Sequence, residues 1–222
     1  VYRRDHRYVA AALIAVGAGV GVGMNLYIPG KREWIRDQQH RIEEQFRALL
    51  LEMAAYLQGE TRGEGIAERV GKLGNMLDEG EAAAYRDMEN NLLSETEYYL
   101  RYMVLRKTQL AVLARISDYL RRREAFPGQA KWLSGLMRSV SRSFHEYNNA
   151  LGLLEELAGV KGELEREALP ATREEFEARA ILFQVLLELE EFLLIKREFV
   201  AEMTAEEIGE FWDNNVSSRD YG

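Results

Sequence analysis

Asp37 and His40 stand three residues apart, and Glu44 follows four residues later. On a helix all three share one face. A carboxylate at that distance from a histidine is half of the metal site found inside some helical bundles. The other half requires a matching pair, and the residue three before His145 is Arg142. The trio therefore reads as a solvated polar face opposite the stripe that runs from Ile35 to Phe46, and no metal is expected. The neighbouring pair His145 and Glu146 has no third partner at helical spacing. Tyr98, Tyr99 and Tyr102 could stack an aromatic ligand, but core packing with the hydroxyls at the rim is the expected arrangement. Glu188, Glu190 and Glu191, with Lys196 and Arg197 further on, read as a solvated helix face. Arg121, Arg122 and Arg123 end a helical stretch, where cations meet the negative end of the dipole. The sharper reading of that run is contact with anionic lipid headgroups. The chain has no cysteine, and so no thiolate nucleophile, thiolate metal site or disulfide framework. No P-loop, no dinucleotide-binding glycine motif and no nucleophile elbow occurs. No catalytic residue, cofactor-binding residue or metal ligand is predicted, and the chain is not read as an enzyme.

The elements behind these residues begin with a segment unlike the rest. From Tyr8 to Gly30 no residue of 23 is charged. That run is long enough to cross a hydrocarbon core of about 30 Å as a helix. Arg3, Arg4 and Arg7 flank one end and Lys31, Arg32 and Arg36 the other, with Tyr8 and Tyr27 where interfacial aromatics belong. A signal peptide would carry a shorter apolar region of about 7–15 residues and a small-residue cleavage site. Here the run continues through Asn25, Tyr27 and Pro29 into a polar helical pattern. Its composition adds a second expectation. Gly17 and Gly21 share one helix face, and Gly19 and Gly23 lie nearly opposite. Ala11, Ala15, Gly19 and Gly23 form a small-residue line that lets helices approach closely in lipid. Close approach on two faces implies neighbours on both sides, as for an interior helix of a multi-span bundle. The chain also opens on Val1, and further spans are expected upstream.

After Gly30 the chemistry is that of a water-facing domain. Of 29 basic and 37 acidic residues, all but three basic and one acidic lie beyond it. The net charge of −8 argues against nucleic acid as a partner, because phosphate binding needs a basic face. Periodicity predicts helices throughout. The first runs from Lys31 to Leu57, with Ile35, Ile42, Phe46, Leu49, Met53 and Tyr56 on one stripe. A polar turn at Gln58–Gly65 precedes a helix over Ile66–Asn91, with a break expected near Gly80. The next starts at Ser94, with Glu97 completing a capping box, and carries Tyr99, Tyr102, Met103, Leu110, Leu113, Ile116 and Leu120. It is expected to stop near Phe126–Pro127–Gly128. Gln129–Tyr147 carries Leu133, Leu136, Met137, Val140 and Phe144 on a stripe. Asn148 and Asn149 mark a break before a helix over Ala150–Glu167. Beyond Pro170, Thr172 and Glu175 cap the last long helix, whose expected core stripe is Phe176, Ala180, Phe183, Leu187 and Leu194. Thr204 and Glu207 cap a short helix that ends near Trp212.

These elements give an all-α fold, a long antiparallel helical bundle preceded by one transmembrane helix. Residues 1–30 form the last span with its basic flank, 31–212 the bundle and 213–222 a flexible tail. Several strings resemble the bacterial aromatic acid exporter family, in particular its C-terminal domain. They are MNLYIP at Met24–Pro29, ETEYYLRY at Glu95–Tyr102, LPATREEFEARA at Leu169–Ala180 and LLIKR at Leu193–Arg197. The resemblance covers Met24 to Arg197 and is weak in Gly59–Gly80 and Gln129–Gly152. It implies a multi-pass inner-membrane protein with a cytoplasmic helical domain and an activity of exporting aromatic carboxylates. It brings no catalytic or ligand residue with it. The expected partners are membrane lipid and upstream transmembrane helices of the same protein, and a homo-oligomer is compatible. The first reading is thus the final span and cytoplasmic bundle of an exporter, the bundle regulating, assembling or gating the pore. A single-span, membrane-tethered interaction module is the alternative, and a helical metal enzyme the weakest.

Overall fold

A computed structural model describes residues 34–88 and 94–209. All regular structure among them is helical. α1 covers residues 34–57, α2 Ile66–Met88, α3 Ser94–Leu120, α4 Ala130–Arg142, α5 Leu151–Arg166, α6 Arg173–Ala201 and α7 Ala205–Glu207. The expected span, its glycine and alanine faces and the tail after 212 lie outside the described residues. Among the described helices none is long and apolar enough to cross a membrane. The chain divides into two compact units, Val1–Arg41 and Ile42–Gly222. Of the first, the described part is the opening of α1, where Arg41 pairs with Asp37 at 3.1 Å and both are exposed.

In the second unit the core forms because each long helix turns an apolar stripe inward. α2 packs on α3, α3 on α6, α5 on α4 and α6, and α4 on α6. α1 joins α4 through two buried serines, Ser134 Oγ donating to the Ala54 oxygen at 2.9 Å and Ser141 Oγ to the Arg47 oxygen at 3.1 Å. The predicted stripes of α3 and α4 are buried without exception, as are Ile42, Phe46, Leu49 and Met53 of α1.

The helix boundaries follow local chemistry. Thr172 Oγ1 accepts from the Glu175 amide, while the Glu175 carboxylate accepts from the Ala171 amide. Thr204 and Glu207 form the expected reciprocal capping box. Asn148 and Asn149 accept from the amides two residues on, at Ala150 and Leu151, so the predicted break is built from side-chain turns.

Four expectations are corrected. α2 runs unbroken through Gly80. A Cβ there would lie 3.0 Å from Met103 Sδ and 3.3 Å from the Tyr99 hydroxyl, so this glycine serves close packing of α2 on α3. α3 ends at Leu120, short of Pro127, and α4 ends at Arg142, short of Tyr147. On α6 the buried face is Ala178, Leu182, Val185, Leu186, Leu189, Phe192 and Leu193, whereas Phe176, Phe183 and Leu187 are exposed. Lys196 and Glu188, read as solvated, lie on the buried face, 4% and 6% exposed. The capping pair expected at Ser94 and Glu97 depends on the Ser94 side chain, which lies outside the described set.

Candidate functional site

The bundle interior holds charge. Arg106, 1% exposed, enters the core from α3 one turn after Tyr102. Its Nη2 donates to Glu43 Oε1 of α1 at 3.0 Å and its Nη1 to Gln109 Oε1 at 2.8 Å. Gln109 passes the chain on, its Nε2 donating to the Phe192 oxygen of α6 at 3.1 Å. Glu43 also accepts from the Tyr102 hydroxyl at 3.2 Å. Aromatic rings wrap the guanidinium, its centre lying 4.2 Å from the Phe144 centroid, 4.8 Å from Tyr102 and 5.9 Å from Phe46. Phe46 and Phe144 stack at 4.9 Å, and Phe192 stands 6.0 Å from Phe144. Arg106 Nε, also buried, has no hydrogen-bond partner.

A second cation lies beside the first. Lys196 of α6 donates from Nζ to the main-chain oxygen of Glu146 at 2.6 Å. Burial, with the Arg106 charge second, pulls its ammonium from 10.5 down to about 7, against the opposing pull of Glu146 and Glu43. Burial pushes the Glu146 carboxyl up, although the Tyr98 hydroxyl donates to it at 2.6 Å. Burial likewise raises the Tyr102 phenol well above its ordinary value. The three tyrosines are therefore in the core as expected, but two hydroxyls serve the buried charge cluster and not the rim.

Both cations line a small, half-open cleft between α3, α6 and the α4–α5 connection. Phe144, Phe192, Leu193, Val140 and Leu153 supply apolar walls, and Gln109, Ser143, His145 and Asn148 supply polar groups. Ala150, at the start of α5, also lines it and holds a left-handed backbone with φ 63°.

The residues singled out from sequence scatter. Asp37, His40 and Glu44 are exposed. Among the described residues no group of three or more histidines and carboxylates is placed to hold a metal ion. Arg121 pairs with Asp118, Arg122 lies 4.7 Å from the Tyr119 ring, and Arg123 binds Glu177 at 2.8 Å. Arg106, Glu43 and Gln109 carried no expectation, yet a signal for them existed. Each is a polar residue inside an apolar helical stripe, and such residues are buried only when paired.

The fold and site define an all-helical domain built around a buried, aromatic-lined cation pair. Residues 33–197 match the family model described as "Putative aromatic acid exporter C-terminal domain", and the chain belongs to that family. It is 33% identical over 188 residues to the uncharacterized protein YqjA of Bacillus subtilis (strain 168), an alignment covering 84% of this chain and 58% of that protein. The chain thus spans little more than half the length of that relative. A crystal structure of a putative membrane protein from Clostridium difficile 630 superposes with a TM-score of 0.68 at 28% identity, covering 76% of this chain and 98% of the other.

Proposed function

We propose that this chain is the last span and cytoplasmic helical domain of a membrane exporter of aromatic carboxylates, and that the bundle regulates or assembles the pore. The observation that carries the reading is the position of the family match. It begins at residue 33, directly after the uncharged run from Tyr8 to Gly30. A span there leads straight into α1, so a shift of the bundle would be felt at the membrane through Pro29, Gly30 and Lys31. The small-residue faces of the run fit a helix packed among other spans, for which Gly19 and Gly21 supply close approach on opposite sides. Arg121 and Arg122, both exposed, would meet headgroups if their end of the bundle faces the bilayer.

Two measurements on the full-length protein test this. A cysteine at Ser218 should resist an impermeant thiol reagent in intact cells, and ready labelling from outside would reverse the topology. Gly19→Leu and Gly21→Leu should each impair export-dependent tolerance of an aromatic carboxylate. In a lone anchor leucine is favoured at mid-membrane by several tenths of a kcal/mol, so unchanged tolerance with normal protein levels would sink the multi-span reading.

A further inference from the structure

We infer that the outer face of α6 is a contact between two copies of this chain, laid antiparallel about a two-fold axis that passes between Phe183 and Leu187. The inference does not rest on the exporter reading, because the face and its symmetry lie within α6.

Among the described helices α6 packs on α3, α4 and α5. The stripe turned away from them is apolar for most of its length. Phe176, Phe183 and Leu187 are 60%, 50% and 37% exposed, with Ala180 exposed and Leu194 half-buried in the same row. A single surface hydrophobe needs no explanation, but a continuous row marks a contact surface. The intervals point to what covers it. From Phe176 to Phe183, Leu187 and Leu194 the steps are seven, four and seven residues, the same read from either end. Steps of seven and four keep to one helix face. An antiparallel copy therefore sets Phe176 against the partner's Leu194 and Phe183 against the partner's Leu187, and the axis repeats both contacts. Such self-complementarity is what a closed two-fold dimer requires and what an unrelated partner has no need of.

The charges agree with that direction and not with its opposite. Glu190 lies between Leu187 and Leu194 and pairs with Lys161 of α5 at 2.6 Å. In the antiparallel alignment it falls against the partner's Ala180, whose small side chain leaves room for the ion pair. In a parallel alignment Glu190 would meet the partner's Glu190, and Arg173 and Arg197 would each meet their like. At the ends of the antiparallel contact, the exposed Arg173 and Glu174 of one copy come level with the partner's Arg197 and Glu198, so each end carries both signs. A lipid surface fits less well, because Glu190, Glu191 and Glu198 rim the stripe and anionic headgroups repel them.

Contact along one helix is small for an interface, so the dimer exchanges its subunits and parts at the dilutions of a denaturant melt, where Phe183 faces water. Anchoring in one bilayer would raise the effective concentration of the copies. It would also stand the two-fold axis along the membrane normal and lay α6 along the surface, with Pro29 and Gly30 as turn residues ahead of the bundle.

The chain has no cysteine, so single cysteines report cleanly. Phe176→Cys and Leu194→Cys forms of the 222-residue chain, carrying different tags, are mixed at high concentration in detergent and oxidised with copper phenanthroline. The mixed disulfide should exceed the like-with-like products at least ~10-fold, because position 176 lies about 27 Å from its own copy in the antiparallel alignment, beyond the reach of about 7 Å between the Cα atoms of a disulfide. Leu187→Glu, which puts a carboxylate beside the axis in both copies, should cut the mixed product ~10-fold or more. Ala180→Glu, which faces the partner's Glu190, should do the same, and Leu187→Met should leave the product intact. Each variant is checked for an unchanged cooperative melt at low concentration. An excess of like-with-like product overturns the inference, as does a mixed product that both glutamate substitutions leave unchanged, or no disulfide product at all. Vesicles of anionic phospholipid that shield both cysteines from a thiol reagent, with no cross-link formed, would give the face to lipid and overturn it as well.

Discussion

Replacing Lys196 by methionine should change how the stability of the fold depends on pH, in a direction and by an amount that the structure sets. In the unfolded chain the lysine ammonium titrates at its ordinary value of 10.5, and in the bundle at about 7. Between those values the unfolded state binds the extra proton, so stability rises with pH across the window, and the full penalty is present below about 7. Each unit is worth about 1.4 kcal/mol. From pH 7 to about pH 9 the wild type should gain about 2 kcal/mol from this group, after allowing for its being half protonated at the lower end. Lys196 is almost fully buried, so solvent screening takes little from that figure. Methionine has nearly the same length and no proton to lose, so the variant lacks the gain and should equal or exceed the wild type in stability at pH 7. The assay is urea unfolding of both proteins at the two pH values, with equal slopes confirming the same unfolded state. Parallel pH dependences, agreeing within about 0.5 kcal/mol, would mean that water reaches Lys196 and that the electrostatic description of the cleft is wrong.

Three further outcomes follow from the packing. Glu43→Gln should cost about 3 kcal/mol in denaturant melts, because it leaves the Arg106 guanidinium buried without its carboxylate. Gly80→Leu should lower stability by about 1–3 kcal/mol, since even a Cβ there meets Met103 Sδ at 3.0 Å, and a variant as stable as wild type would show α2 and α3 to be further apart. Phe183→Ser should change the unfolding free energy by less than about 0.5 kcal/mol, its ring being 50% exposed, and a larger loss would show the outer face of α6 to be covered.

The helices were legible because most of them carry one stripe and firm punctuation. Thr172, Thr204 and the Asn148–Asn149 pair mark boundaries by side-chain hydrogen bonds to nearby amides, a local event that sequence records directly. Gly80 misled because a glycine inside a helical pattern has two meanings, a weak point in the helix or a place where another helix comes close. Only the neighbour decides between them, and here it is Met103. The family resemblance carried by the strings at Glu95–Tyr102 and Leu169–Ala180 falls within residues 33–197, which match the family model. The charge cluster was less visible. Arg106 interrupts the run Tyr102, Met103, Leu110 and Leu113, and Glu43 stands beside Ile42 on the inward face of α1. Each alone looks like a residue that could turn outward; facing each other across 3.0 Å they need not.

α6 shows why the missed half of the site could not be recovered from its own segment. Its apolar residues surround the helix, so two stripes of equal periodicity compete, one through Phe176, Phe183 and Leu187 and one through Leu182, Leu189 and Phe192. Choosing the first places Lys196 outside, in a solvated row with Glu188. Choosing the second places both in the bundle. Nothing in the helix settles the choice, because each face would bury comparable hydrocarbon. What settles it lies on other elements. Arg115 of α3 meets Glu188 at 2.8 Å, and the main-chain oxygens of Glu146 and Phe192 take up Lys196 and Gln109. A charged residue thus selects the face of the helix that can satisfy it, and the polar members of α6 carry more information about its orientation than the leucines do. The cleft exists because that face turned inward with its lysine, at a cost in stability that methionine would not incur.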